Sequence, residues 1–183
     1  MPQALTTLVL LSILGKGSAI GMDGRIHYPI REALGTPTAF IFVTHDCPIC
    51  NSYAPEIKRI ELKFRSKANV QLVYSDPLAT VHRVQSHAKE YGLQSLTKWV
   101  DRSRTLAFGC GASVVPQAVV FDSKGHKTWS GRIDDQYVSL GVRKHQASTH
   151  DLRDAIDSVV KGQSPKAALG QPVGCIILTP GTS

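Results

Sequence analysis

Two of the four cysteines stand three apart, in Cys47-Pro48-Ile49-Cys50. They follow the β-branched and aromatic run Thr-Ala-Phe-Ile-Phe-Val-Thr at 38–44, which reads as a central strand buried on both faces. After them Tyr53, Ile57, Ile60 and Phe64 form one helical stripe. A thiol between a strand end and a helix start meets free amide N–H groups and the positive end of the helix dipole, which favour its thiolate. Only the thiolate attacks a disulfide or peroxide. Cys50, one turn further on, is placed to attack a mixed disulfide at Cys47 and release the partner. Pro48 suits the first helical turn, where its missing N–H costs nothing. The plainer readings of such a pair are coincidence or half of a metal site, but its strand-to-helix setting favours redox use.

The other chemistry-bearing residues are scattered. Cys110 lies between two glycines and Cys175 in the tail, so both are accessory thiols at most. A four-cysteine zinc ribbon uses two close pairs, and only one pair is close here. His82 and His87 are five apart and do not share a helix face, so they are not read as a metal pair. No metal or cofactor is expected. His45 adjoins the motif and, when protonated, would favour the Cys47 thiolate, whereas Asp46 would oppose it.

The elements that must position these residues follow from pattern. A second strand is expected at 70–74 and a helix over 79–91, ending at Gly92. A hairpin is expected from 118–121, a turn at 122–125 and 127–133. The last helix should start with Thr149 as N-cap, carry Leu152, Ala155, Ile156, Val159 and Val160 on one face, and end at Gly162. The expected class is α/β, a sandwich with a central mixed sheet flanked by helices. Three segments are expected: a signal peptide at 1–19, a domain at 20–162 and a loop-like tail at 163–183 with a short apolar run at 173–178.

A length of 183 residues suits one domain with a real core. The formal charge of +7 is dispersed, and its densest stretch, 58–67, is interrupted by Ile60, Leu62 and Phe64. That pattern is a solvated helix face, so no nucleic-acid partner is expected. The apolar run 4–14 is too short to span a bilayer but suits a signal-peptide core, with Gly17 and Ala19 as small cleavage-site residues. No Lys or Arg precedes it, so the alternatives are a buried N-terminal element and a cytoplasmic protein. The favoured location is periplasmic or secreted.

In several places the chain resembles the thioredoxin superfamily. Pro55, eight residues after Cys47, stands where that family kinks its active-site helix, and Val115-Pro116 stands where it has a cis-proline that presents backbone to a bound peptide. The resemblance covers 36–162; it implies that the α/β sandwich is thioredoxin-like, a central mixed sheet flanked by helices, and that Val115 and Pro116 bind substrate. A narrower resemblance, to bacterial redoxin-like proteins of the AhpC/TSA type, rests on the stretches 46–57 (DCPICNSYAPEI), 129–137 (WSGRIDDQY) and 173–176 (VGCI). Some of those proteins are fused to or encoded with c-type cytochromes, which implies a cytochrome-linked redox partner. Members often carry serine where Cys50 stands, which makes Cys47 the essential nucleophile. Two departures touch the tuning of the centre. Ile41 replaces a buried aspartate, and Asp46 replaces the tryptophan before the first cysteine.

The expected activity is therefore thiol–disulfide exchange with partner proteins. The first alternative is a thiol peroxidase. Thr44 reproduces the Thr-x-x-Cys part of the peroxiredoxin signature, although Phe40 stands where that signature has proline. Arg132 would then stabilise the thiolate or, failing that, pair with Asp134 or Asp135. The second alternative is a thioredoxin-fold copper-binding module using both motif cysteines and a histidine.

Overall fold

The computed structural model describes residues 17–178. In chain order its elements are β1 (Ala19–Ile20), β2 (Ile26–His27), α1 (Pro29–Glu32), β3 (Thr38–Val43), α2 (Pro48–Ser52), α3 (Ala54–Phe64), β4 (Asn69–Tyr74), α4 (Val81–Glu90), β5 (Thr97–Val100), α5 (Thr105–Cys110), β6 (Val114–Val115), β7 (Gln117–Phe121), β8 (Lys127–Gly131), β9 (Tyr137–Ser139), β10 (Val142–Arg143), α6 (Asp151–Val160) and β11 (Cys175–Ile176).

A strand with no polar face needs neighbours on both edges and cover on both sides. β3 has both. β4 pairs with it in parallel and β7 antiparallel, so that Ile41 faces Leu72 on one edge and Ala118 on the other. The full sheet runs β2-β1-β5-β4-β3-β7-β8 and is mixed. α3 packs on β4, α4 on β5, and α6 on β7 and β8. Phe40, Ile41 and Phe42 are wholly buried at its centre, each worth about 1.5–3 kcal/mol by burial.

Several boundaries move for local reasons. α4 starts at Val81 because the Thr80 side chain caps it, accepting from the Arg83 amide. The expected cap at Thr149 is not used: His150 is the capping residue of α6, and the Thr149 hydroxyl donates to the Asp151 carboxylate. The second hairpin strand ends at Gly131, short of Ile133. β5 was not expected from pattern, because its Lys98 is buried against the carbonyls of Gln94 and Leu96, while Trp99 donates to Gln71.

Both ends of the described chain make contacts with the central domain. Residues 1–16 of the expected leader lie outside the described residues. Residues 17–19 belong to the fold: Ala19 pairs with His27, the Thr105 hydroxyl donates to the Ser18 carbonyl, and Gly17 lies directly on Leu106. At the other end, β11 forms a two-stranded sheet with β6, so the tail is part of the domain's surface. Among the described residues, no helix is long and apolar enough to cross a membrane.

Candidate active site

β3 delivers the chain to Cys47, which takes extended backbone angles (φ −82°, ψ 114°) and serves as the capping residue of α2, with Pro48 in the first turn. The Asn51 amide donates to the Cys47 carbonyl at 3.0 Å and closes that turn. α2 and α3 are divided at Tyr53, and Pro55, in the first turn of α3, has no N–H to carry the ladder across the break. This places Cys50 on the inner side of the first turn. Both cysteines are only 3% exposed.

Their acidities separate. The Cys50 thiol beside Cys47 acts most strongly on it; working against burial, and helped by the amides of Cys50 and Ile49 and by the Cys175 thiol, it draws the Cys47 thiol down to about 5. Burial first, and then the neighbouring Cys47 sulfur, push Cys50 well above an ordinary thiol. The surroundings thus favour the charged form at Cys47 and the protonated form at Cys50.

Opposite this helix start, the Val115–Pro116 peptide bond is cis. Gln117 holds the approach to it, its side-chain oxygen accepting from the amides of Ser113 and Val114 and its amide donating to Ser130. β11 lies along β6 with Cys175 opposite Val115 and Ile176 opposite Val114. The Cys175 thiol donates to the Cys47 sulfur across 3.6 Å. Cys47, Cys50 and Cys175 thus share one site, with Val115 and Pro116 on its wall.

Other sequence candidates lie elsewhere or are otherwise engaged. Cys110 is a core residue whose thiol burial pushes up to about 12. Arg132 pairs with Asp151 at 2.7 Å and also reaches Thr149, not Asp134 or Asp135, because α6 presents Asp151 beneath it. Asp134 instead accepts the Tyr53 hydroxyl, and Asp135 takes Lys144 and the amides of Ser148 and Thr149. His45 is bound to Asp76 at 2.9 Å. Thr44 is half-buried, with its backbone beside the Cys50 sulfur. Among the described residues, one set of three groups converges as metal ligands would, Glu56, Asp134 and His150, and it includes neither motif cysteine nor His45.

Sequence reasoning missed the polar cluster behind the pair. His87 Nε2 donates to Asn51 Oδ1 at 2.9 Å, and its Nδ1 accepts the Tyr74 hydroxyl at 2.9 Å. Asn51 in turn donates to Tyr91 and to the His45 carbonyl. This arrangement fits a neutral imidazole, and burial lowers the His87 pKa accordingly. Tyr74 is raised by burial and by the nearby Cys50, which locates the cluster next to the second cysteine. The available signal was Asn51, a polar residue immediately after the motif. On the other side, Tyr53 donates to buried Asp134 at 2.7 Å, and Ser52 and Tyr137 share a hydrogen bond at 2.8 Å.

The sheet order, the helix broken after a cysteine pair and the facing cis-proline strand define the thioredoxin-like fold, and the chain has that fold. Solved structures agree. A hypothetical protein of Sinorhizobium meliloti 1021 superposes with a TM-score of 0.73 at 20% identity, over 92% of this chain and 93% of that one. A secreted Mycobacterium tuberculosis disulfide oxidoreductase homologous to E. coli DsbE gives 0.57 at 19% identity, over 82% and 98%. The exposed lipoprotein thioredoxin Etrx1 of Streptococcus pneumoniae strain TIGR4 gives 0.56 at 18% identity, over 80% and 98%. No protein-family model and no curated protein matches the sequence.

Proposed function

We propose that the protein is a thiol–disulfide oxidoreductase in which Cys47 is the attacking thiol and Cys50 the resolving one. The observation that carries this reading is the placement of the pair, Cys47 capping the start of α2 directly after β3 and Cys50 one turn on and buried beside it; the split acidity, Cys47 drawn down to about 5 and Cys50 pushed well above an ordinary thiol, accords with it. The Cys47 thiolate attacks one sulfur of a partner disulfide. A Cys47–partner bond forms, the partner's S–S bond breaks, and its second sulfur leaves with the electron pair. Once Cys47 is in that bond its negative charge is gone, which removes one of the causes holding the Cys50 proton. Cys50 then loses its proton and attacks the Cys47 sulfur; the Cys47–Cys50 bond forms, the Cys47–partner bond breaks, the partner sulfur held in it leaves with the electron pair, and two electrons have passed to the partner. An external dithiol restores the pair.

Solved structures that share the fold and whose proteins are disulfide oxidoreductases support the reading, as does the cis-proline strand facing the pair. A peroxidase has less support, since Arg132 is held by Asp151 and Thr149. A copper module has less still, since His45 is bound to Asp76. Export to an oxidising compartment belongs to the reading and rests on the apolar run 4–14. The test is insulin reduction driven by dithiothreitol. Cys47→Ser abolishes it, and Cys50→Ser accumulates mixed disulfides at Cys47. Full activity in Cys47→Ser would end the proposal.

A further inference from the structure

The tail crosses the domain on a track of close approaches. Ala168 sits 2.6 Å from where a Cβ on Gly131 would be, and a Cβ on Gly170 would stand 2.5 Å from the Arg132 guanidinium. At Gly174 a Cβ would run into the Val115 carbonyl, so glycine alone lets the chain come this near to the cis-proline strand. Beyond it β11 ladders onto β6, the Ile177 amide donates to the Ser113 carbonyl at 2.8 Å, and the Ile177 side chain is buried between exposed Ile176 and Leu178. Main-chain pairing along a strand edge, with alternate side chains inserted, is the way an extended peptide is held on a sheet. Here the peptide belongs to the chain itself, and it brings a cysteine to 3.6 Å from the Cys47 sulfur.

Resting on the dithiol exchange proposed above, we propose that β11 is a built-in substrate strand and that Cys175 is a third catalytic thiol, exchanging with Cys50 for the disulfide to Cys47. In the oxidised protein, the Cys175 thiolate attacks the Cys47 sulfur. The Cys47–Cys175 bond forms, the Cys47–Cys50 bond breaks, and Cys50 leaves with the electron pair and takes up a proton. Nothing is oxidised or reduced overall, so no outside reactant is needed. In the reduced protein, burial and the Cys47 sulfur together hold the proton on Cys175, and disulfide formation at Cys47 removes the second of these. Cys50 is buried while Cys175 is exposed. The exchange therefore carries the disulfide from an enclosed sulfur to one that external thiols reach. While β11 is seated, the edge of β6 beside Pro116 is closed to other peptides.

The experiment uses the full chain. Cys50→Ser is equilibrated in reduced and oxidised glutathione, alkylated, digested and read by mass spectrometry. A peptide joining Cys47 to Cys175 is expected as the main product. Gly174→Val keeps every cysteine but sets a side chain against the Val115 carbonyl. Combined with Cys50→Ser, it lowers the joined peptide at least about twofold. Alone, it lowers the KM for insulin at least about twofold, because a groove occupied more than half the time becomes free. Glutathione on Cys47 with no Cys47–Cys175 peptide would overturn the strand proposal and leave the dithiol reading standing. An unchanged KM and an unchanged yield in Gly174→Val would also overturn it. A Cys47 that forms no disulfide of any kind, in a protein inactive on insulin, would overturn both.

Discussion

Replacing Cys50 by alanine removes the largest single influence that holds the Cys47 thiol near 5, while the backbone amides of residues 49 and 50 stay in place. A hydrogen bond to a charged group contributes about 1.5–3 kcal/mol. At 1.36 kcal/mol per pH unit, losing one moves the midpoint by about 1–2 units. The Cys47 thiol of Cys50→Ala is therefore expected to titrate at about 6–7. Thiolate absorbance at 240 nm, checked by the pH dependence of iodoacetamide alkylation, reads it directly. Cys110 is silent in this range, with its thiol pushed up to about 12. Cys175→Ser in both proteins removes the remaining thiol but keeps a donor at that position. A wild-type midpoint near 9, or one that Cys50→Ala leaves where it was, would refute the account of how the pair is tuned.

Other outcomes follow from the same geometry. Because the folded-state pKa of Cys47 lies below the thiol's ordinary value of 9.0, the unfolded reduced chain binds more protons between about pH 5 and pH 9. The thermal midpoint of the reduced protein is expected to rise across about pH 5–8 more steeply than in Cys47→Ser, and equal slopes would contradict this. Tyr53→Phe strips buried Asp134 of its hydroxyl donor, and urea titration is expected to show a loss of about 1–3 kcal/mol. Arg132→Ala leaves the Asp151 carboxylate buried without its partner. It is expected to cost about 3–5 kcal/mol in the same titration, with insulin reduction by the folded fraction unchanged. A loss of turnover without a loss of stability would return Arg132 to the thiolate.

How much was legible depended on whether a signal was local. The run at 38–44 declared β3 because a strand covered on both faces has no polar residues to blur it. Cys47 and Cys50 declared themselves by their place between that strand and the helical stripe of Ile57, Ile60 and Phe64. β1, β2, β6 and β11 were not legible, since two-residue strands exist only through their partners and carry no period of their own. His87 was considered only against His82, five residues away on the same helix, whereas its partners Asn51 and Tyr74 come from two other elements. Arg132 was weighed against its sequence neighbours, but its carboxylate arrives from α6, 19 residues on. Cys175 could be noticed as a thiol in an apolar stretch. Its contact with Cys47 depends on the whole path of the tail.

The hydrogen bonds that hold α2 and its flank reach far down the chain, which sets when, during synthesis, they can form. Tyr53 finds Asp134 81 residues downstream, Ser52 finds Tyr137 after 85, and Cys47 meets Cys175 after 128. A chain emerging from the ribosome exposes both motif cysteines long before any of these residues exists. Chains are made at about 5–20 residues per second, so the gap lasts several seconds. During it, the burial and the facing strand that separate the two thiols in the folded chain are absent. The surroundings of the pair thus arrive with the last third of the chain, and a truncated product carries the motif without them.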